Sequence, residues 1–137
     1  MERIERGWAG HYICGSDCRW HRNTLIVNDD GREIIVSSVG RLTRYDHKKG
    51  LDVVDYIGHK RWYETKAFIA KKDGEYTEVD VEKYITLPEN LEWCVDHEPE
   101  ENTDIEAEKI HEDVVSWVMW NFDEAYNSGE AYYKENH

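Results

Sequence analysis

Four side chains of zinc-ligand type fall within eleven residues: His11, Cys14, Cys18 and His21, in the stretch HYICGSDCRWH. Thiolate sulfur and imidazole nitrogen are the ligands that zinc prefers. The spacing is unfavourable, because structural sites separate two ligand pairs by enough chain to wrap a tetrahedron. Wound as a helix, the segment would spread the four over about 15 Å at a rise of about 1.5 Å per residue. The expectation is therefore thiols and polar histidines with no cofactor, and a metal site at these four residues is the alternative. A nucleophilic Cys14 or Cys18 with His11 or His21 as base is a third chemistry, but no neighbour marks either thiol as activated.

Two clusters mix cations with aromatic rings: Arg19-Trp20-His21-Arg22 and His59-Lys60-Arg61-Trp62-Tyr63. Arginine and aromatic side chains together can hold a phosphate and stack a base. Trp20, Arg22, Arg61 and Trp62 thus form a candidate pocket for a nucleotide or similar anion, with Glu64 as a possible general base. The plainer reading is cations lying along half-buried aromatics. The chain has no P-loop, GxGxxG, GxSxG or HExxH pattern. Catalysis is not the expected role.

The elements that must position these residues read as β-rich up to Ile85. Thr24 to Asn28 and Arg32 to Leu42 flank Asp29-Asp30-Gly31, and Arg61 to Lys72 and Glu75 to Ile85 flank Asp73-Gly74. Asp-Gly between two such runs predicts a hairpin in each case. Tyr45 to Gly50 reads as a polar loop, with a further short strand over Leu51 to Ile57. Pro88 to Asn102 is an acidic connection with a short element around Leu91 to Val95. Thr103 with Glu106 has capping-box spacing, and a single helix is predicted from there to about Ser128, stopped by Gly129. Residues 129–137 read as a fraying tail. The fold class is α+β, one domain: an antiparallel sheet of four to five strands in two hairpins, packed by one long C-terminal helix.

Charge divides this chain more sharply than any motif. Residues 1–85 carry 15 Lys/Arg and 15 Asp/Glu, whereas residues 86–137 carry 2 and 15, so the C-terminal third holds the entire net charge of -13. Such a segment repels nucleic acid and anionic membrane and attracts a basic surface. On a helical wheel Ala107, Ile110, Val114, Trp117, Val118 and Ala125 face the sheet. Glu108, Glu112, Met119, Trp120 and Asp123 face outward, and with Asp113 they form the candidate partner-binding set. Trp120 is either covered by the loop or tail or stands as an aromatic anchor in an acidic patch. No stretch approaches the roughly 20 apolar residues of a membrane span. The start of the chain lacks the apolar core of a secretory signal. Three cysteines in that setting predict reduced thiols and a cytoplasmic protein. The surplus of Trp and Tyr makes a homodimer plausible.

Gly7-Trp8-Ala9-Gly10-His11 followed by Cys14, Cys18 and Arg22-Asn23-Thr24-Leu25 resembles a family of small uncharacterised proteins carried by bacteriophages and other mobile elements. Val36-Ser37-Ser38-Val39-Gly40 and Tyr63-Glu64-Thr65 continue the pattern, which spans about residues 7 to 70. The resemblance implies a context rather than an activity: small acidic phage proteins that inhibit host defence, such as CRISPR effectors and restriction enzymes. With the charge pattern, it leads to the expectation of a non-enzymatic inhibitor. Its acidic helix would occupy a basic nucleic-acid-binding surface of a host protein or ribonucleoprotein complex, as a nucleic-acid mimic. The alternative is a small nucleotide- or metal-binding protein using the N-terminal clusters.

Overall fold

The computed structural model describes residues 1–7, 18–57, 61–95 and 97–137. Among them are seven strands and two helices: β1 (Glu2–Arg6), β2 (Cys18–Val27), β3 (Glu33–Asp46), β4 (Leu51–Asp55), β5 (Tyr63–Asp73), β6 (Tyr76–Tyr84), β7 (Cys94–Val95), α1 (Thr103–Trp120) and α2 (Phe122–Glu135). The sheet is antiparallel throughout, in the order β1-β2-β3-β5-β6, with β4 on β3 and β7 on β5. The α+β class is as the sequence predicts. Both Asp-Gly turns form, with Gly31 at φ 91° and Gly74 at φ 63°, a region that costs glycine nothing.

The 14-residue β3 holds the sheet together by changing partner along its length. Ile34 to Gly40 pair with β5, and Leu42 to Asp46 pair with β4 in a third hairpin. Arg41 stands at the changeover with φ 51°, left-handed backbone that a side chain adopts only under constraint. One constraint sits beside it: the Tyr63 ring lies flat on Gly40, where a Cβ would fall 2.2 Å from Tyr63 Cδ2. The sheet also curls. Arg6 on β1 bonds Asn23 Oδ1 at 2.8 Å and reaches the Thr77 carbonyl of β6 at 2.7 Å, so the two ends of the strand order approach each other.

The helices lie on one face of the sheet, and that face is layered. Ile26, Ile34, Val36, Ala67 and Ile69 meet Val114, Val115, Val118, Phe122 and Ala125 in the main core. One step along the strands the row turns polar, with Thr24, Ser38 and Thr65 buried. A further step brings Trp20 and Tyr63 against Ala107 and Val95. The spacing Ala107, His111, Val114 on α1 meets the three layers in turn, as helical periodicity requires.

The C-terminal third departs from expectation in three respects. The helix is broken at Asn121 (φ -126°, ψ 40°), whose side-chain amide donates to the Trp117 carbonyl at 3.0 Å. The Asn121 N–H keeps its helical bond to the same carbonyl at 2.9 Å, so the break lies in the backbone torsions of Asn121. Gly129 does not end the second helix, which runs to Glu135; its missing Cβ lets α2 lie against Ile69, whose Cδ1 would be 2.7 Å from that atom. Thr103 does not act as a cap. Asn102 occupies that position without a side-chain bond, while Thr103 is buried and its hydroxyl accepts from the Glu100 N–H at 2.8 Å. No described helix is long and apolar enough to cross a membrane.

Candidate functional site

The polar layer is closed by His111, which is fully buried. Its Nε2 is 2.7 Å from Thr24 Oγ1 and its Nδ1 is 2.7 Å from Ser38 Oγ. Thr24 donates to Glu5 Oε1 at 2.8 Å, so its oxygen accepts from Nε2–H. Nδ1 is then the acceptor for Ser38, whose oxygen takes the Thr65 hydroxyl at 2.6 Å. The chain Thr65–Ser38–His111–Thr24–Glu5 satisfies every member with a neutral imidazole. Burial, with the Arg22 charge nearby, pushes the imidazole down to about 4. A serine hydrogen-bonded to a histidine has the form of a nucleophile and its base. Here both groups are sealed from solvent, and their role is to specify how α1 sits on the sheet.

An ion-pair cluster covers the open end of that chain. Arg3 forks onto Glu112 at 2.8 and 3.2 Å, the bidentate geometry that a guanidinium favours. Arg22 bonds Glu5 at 2.9 Å, Glu112 at 3.1 Å and Glu108 as well. Trp20 Nε1 donates to Glu108 at 3.1 Å. Burial opposes the charge on Arg22, but its three carboxylates outweigh burial and raise its pKa. Burial likewise pushes the Glu5 carboxyl up, and the bonds from Arg3, Arg22 and Thr24 reverse that and hold it at about 2. Glu108 and Glu112 are therefore paired with cations at the rim of the sheet, each side chain still 46% exposed, and not free on an outward face as the wheel predicts. The wheel is rotated because it has no means of placing a polar His111 in the packed face, and Ile110 is only partly buried.

The other predicted partner-binding residues divide. Asp113 pairs with Lys109 at 2.6 Å on the surface. Met119 packs against the core, which corrects its outward placement. Asp123 pairs with Arg32 at 2.5 Å, and Arg32 lies over the Phe122 and Tyr126 rings at 5.2 and 5.0 Å. Trp120 is 88% exposed. It stands at the helix break beside a cleft of about 440 Å³ bounded by Asp30, Arg32, Asp123 and Glu124. Among the described residues Glu124 and Glu106 have no cation partner.

The predicted ligand pocket is split by the sheet. Trp20 and Arg22 lie on the helix-facing side, where Trp62 also packs against the Trp20 and Tyr63 cluster with its ring 4.6 Å from Tyr56. Arg61 and Glu64 line a separate pocket of about 360 Å³ with Lys66, Tyr84, Trp93 and Cys94. Alternation sends neighbouring strand residues to opposite faces, which is why residues close in sequence part company here.

Of the four candidate metal ligands, His11 and Cys14 lie outside the described residues. Cys18 is disulfide-bonded, which corrects the expectation of a reduced thiol and removes it as a thiolate ligand or nucleophile. His21 Nδ1 lies 3.3 Å from the Cys18 carbonyl oxygen. Cys94 is a free, exposed thiol. The sequence held no signal for the cluster of Arg3, Glu5, Arg22, Glu108 and Glu112, because its members come from three elements. The chain matches no family model, no curated protein and no solved structure.

Proposed function

We propose that the chain is a non-enzymatic binding protein that docks on a Lys/Arg-rich surface of a partner, with Trp120 as the anchor. The carrying observation is the 88% exposed Trp120 beside an acidic cleft, in a chain of net charge -13. An exposed indole is costly to keep in water and is the side chain most enriched where interfaces concentrate their energy. The neighbouring acids suit a partner arginine or lysine, which would stack on the indole and pair with Glu124. Glu108 and Glu112 are engaged with Arg3 and Arg22, Asp113 with Lys109 and Asp123 with Arg32, so the docking charge falls to Glu124 and the acidic connection before α1. The partner class that fits is a nucleic-acid-handling complex with a basic groove. The resemblance of residues 7 to 70 to mobile-element proteins adds host defence machinery as the context, and inhibition by occupying that groove as the mechanism.

The test is capture of partners from bacterial lysate at low and high salt, followed by competition with DNA and RNA. A basic complex held at low salt, released by salt and displaced by nucleic acid supports the reading. A Trp120→Ala/Glu124→Lys variant that holds the same complex equally well overturns it, as does a Trp120-dependent homodimer with no other partner.

A further inference from the structure

The edge of β5 is shared by two strands that do not meet. Pairing with β6 reaches Phe68 opposite Tyr84, and the Ile85 N–H still donates to the Ala67 carbonyl at 3.0 Å. Pairing with β7 begins at Glu64 opposite Cys94. Between them the chain leaves the edge through Leu87 and the short turn Glu89–Leu91, and returns at Trp93. The pocket of about 360 Å³ opens at this seam, over Thr65 and Lys66. Its volume lies near the lower end of the range for sites that hold small molecules, roughly 300–1,000 Å³.

The chemistry inside is unequal in depth. Glu64 is only 2% exposed and sits behind Arg61, at 2.6 Å, and Lys66, at 4.0 Å. The cations are the accessible layer, 34% and 22% exposed. The buried carboxylate thus fixes two cations in place while its own charge is covered. Arg61 uses Nη1 on Glu64, and among the described residues Nε and Nη2 have no acceptor. Trp93 forms a wall, half-buried against Tyr63, and its indole N–H likewise has no protein acceptor among them. Leu87 supplies apolar surface, and Glu92 stands exposed at the rim.

We propose that this pocket binds a small planar anion, one ring system carrying a single carboxylate or phosphate. Arg61 and Lys66 hold the anionic head, and the ring lies on Trp93 and Leu87. A guanidinium offering a free edge of two donors matches a carboxylate or phosphate better than any neutral group does. The net charge of the chain does not decide against it. Salt screens charges more than about 8 Å apart, so the lining decides; there Arg61 and Lys66 are balanced by Glu64 and Glu92, and it is the unused donor edge of Arg61, not an excess of positive charge, that selects an anion. This site is distinct from the Trp120 cleft and stands whether or not that cleft binds a partner.

Cys94 on the pocket wall gives a direct readout. Its alkylation, followed by peptide mapping, is measured with benzoate, with adenosine monophosphate and with inorganic phosphate, each over a concentration series. Saturable slowing of about tenfold by a ring-bearing anion, with little effect of inorganic phosphate, is the expected result, and whichever of the two probes acts identifies carboxylate or phosphate as the head. Arg61→Gln should weaken that protection by about tenfold or more, the worth of a charge-assisted bond. Because Arg61→Gln also strips Glu64 of its nearest cation, an Arg61→Gln/Glu64→Gln variant, in which two amides can pair, keeps the test open if the single change unfolds the protein. No protection by either ring-bearing probe at millimolar concentration overturns the proposal. So does equal protection by inorganic phosphate, or full protection in the double variant.

Discussion

His111 Nδ1 lies 2.7 Å from Ser38 Oγ, and both side chains are wholly removed from solvent. The imidazole is the central link of a five-residue hydrogen-bonded chain joining α1 to β1, β2, β3 and β5. Removing it would leave Thr24 and Ser38 each short of a partner in the dry interior, and loss of a buried partner costs more than the bond itself is worth.

Acid should therefore loosen the helix from the sheet. The folded value of about 4 for His111 lies below its ordinary 6.5, so the unfolded chain binds more protons between the two. The associated stability is fully present above about pH 6.5 and is lost as pH falls toward 4, to the extent of roughly 3 kcal/mol. Glu5, held at about 2 against an ordinary 4.5, extends the loss to lower pH. Urea unfolding at a series of pH values is the measurement. A His111→Gln variant should be less stable and flat between pH 6.5 and about 5; the wild-type slope persisting in that variant would assign the titration elsewhere.

Arg22 is 20% exposed and serves three carboxylates, Glu5, Glu108 and Glu112. Arg22→Met keeps the stem and deletes the charge, leaving three acids crowded together. A loss of about 2–4 kcal/mol is expected, in the range for breaking a partly buried pair on one side. Arg22→Lys should recover only part of it, since an ammonium cannot address three carboxylates from one plane. Thermal denaturation of the three proteins decides the order.

Trp120→Ala should leave stability within about 0.5 kcal/mol, as for surface positions without buried contacts. Its partner affinity should fall by at least about 2 kcal/mol if the indole is an interface anchor. A large drop in melting temperature would show that the indole packs on something, contrary to its exposure.

Gly129 offers a test of packing against propensity. Alanine is the better helix former by about 1 kcal/mol. Here its Cβ would meet Ile69 Cδ1 at 2.7 Å and the Lys83 carbonyl at 3.2 Å. Gly129→Ala should destabilise by about 1–3 kcal/mol. In an Ile69→Ala background, which removes the clashing atoms, the same change should cost less than half as much. Additive effects of the two substitutions would place α2 further from the sheet.

Much of the local structure is legible in the sequence, because turns and alternation are written in neighbouring residues. The two Asp-Gly hairpins, the β-rich first 85 residues and a helical C-terminal third all follow from spacing alone, and so does the segregation of charge. Three features do not. Strand β1 has only five residues and gains its meaning from pairing with β2. The break at Asn121 is a departure of one residue's backbone torsions that no pattern of neighbours marks. Gly129 reads as a stop because sequence gives no sign of a strand pressed against the helix there. The candidate sites show the same division. Glu108 and Glu112 are acidic helix residues by sequence, and only the approach of β1 and β2, bringing Arg3 and Arg22, gives them cation partners. Trp120 is left outside because the break at Asn121 follows it directly. Arg61 and Glu64 come together with Trp93 and Cys94 because β7 returns to the edge of β5. The sequence by itself determined which segments are strand or helix and where the charge lies, since those depend on neighbours along the chain. The tertiary structure alone decided which charges are neutralised, which aromatic is bare and where a pocket opens, since those depend on neighbours in space.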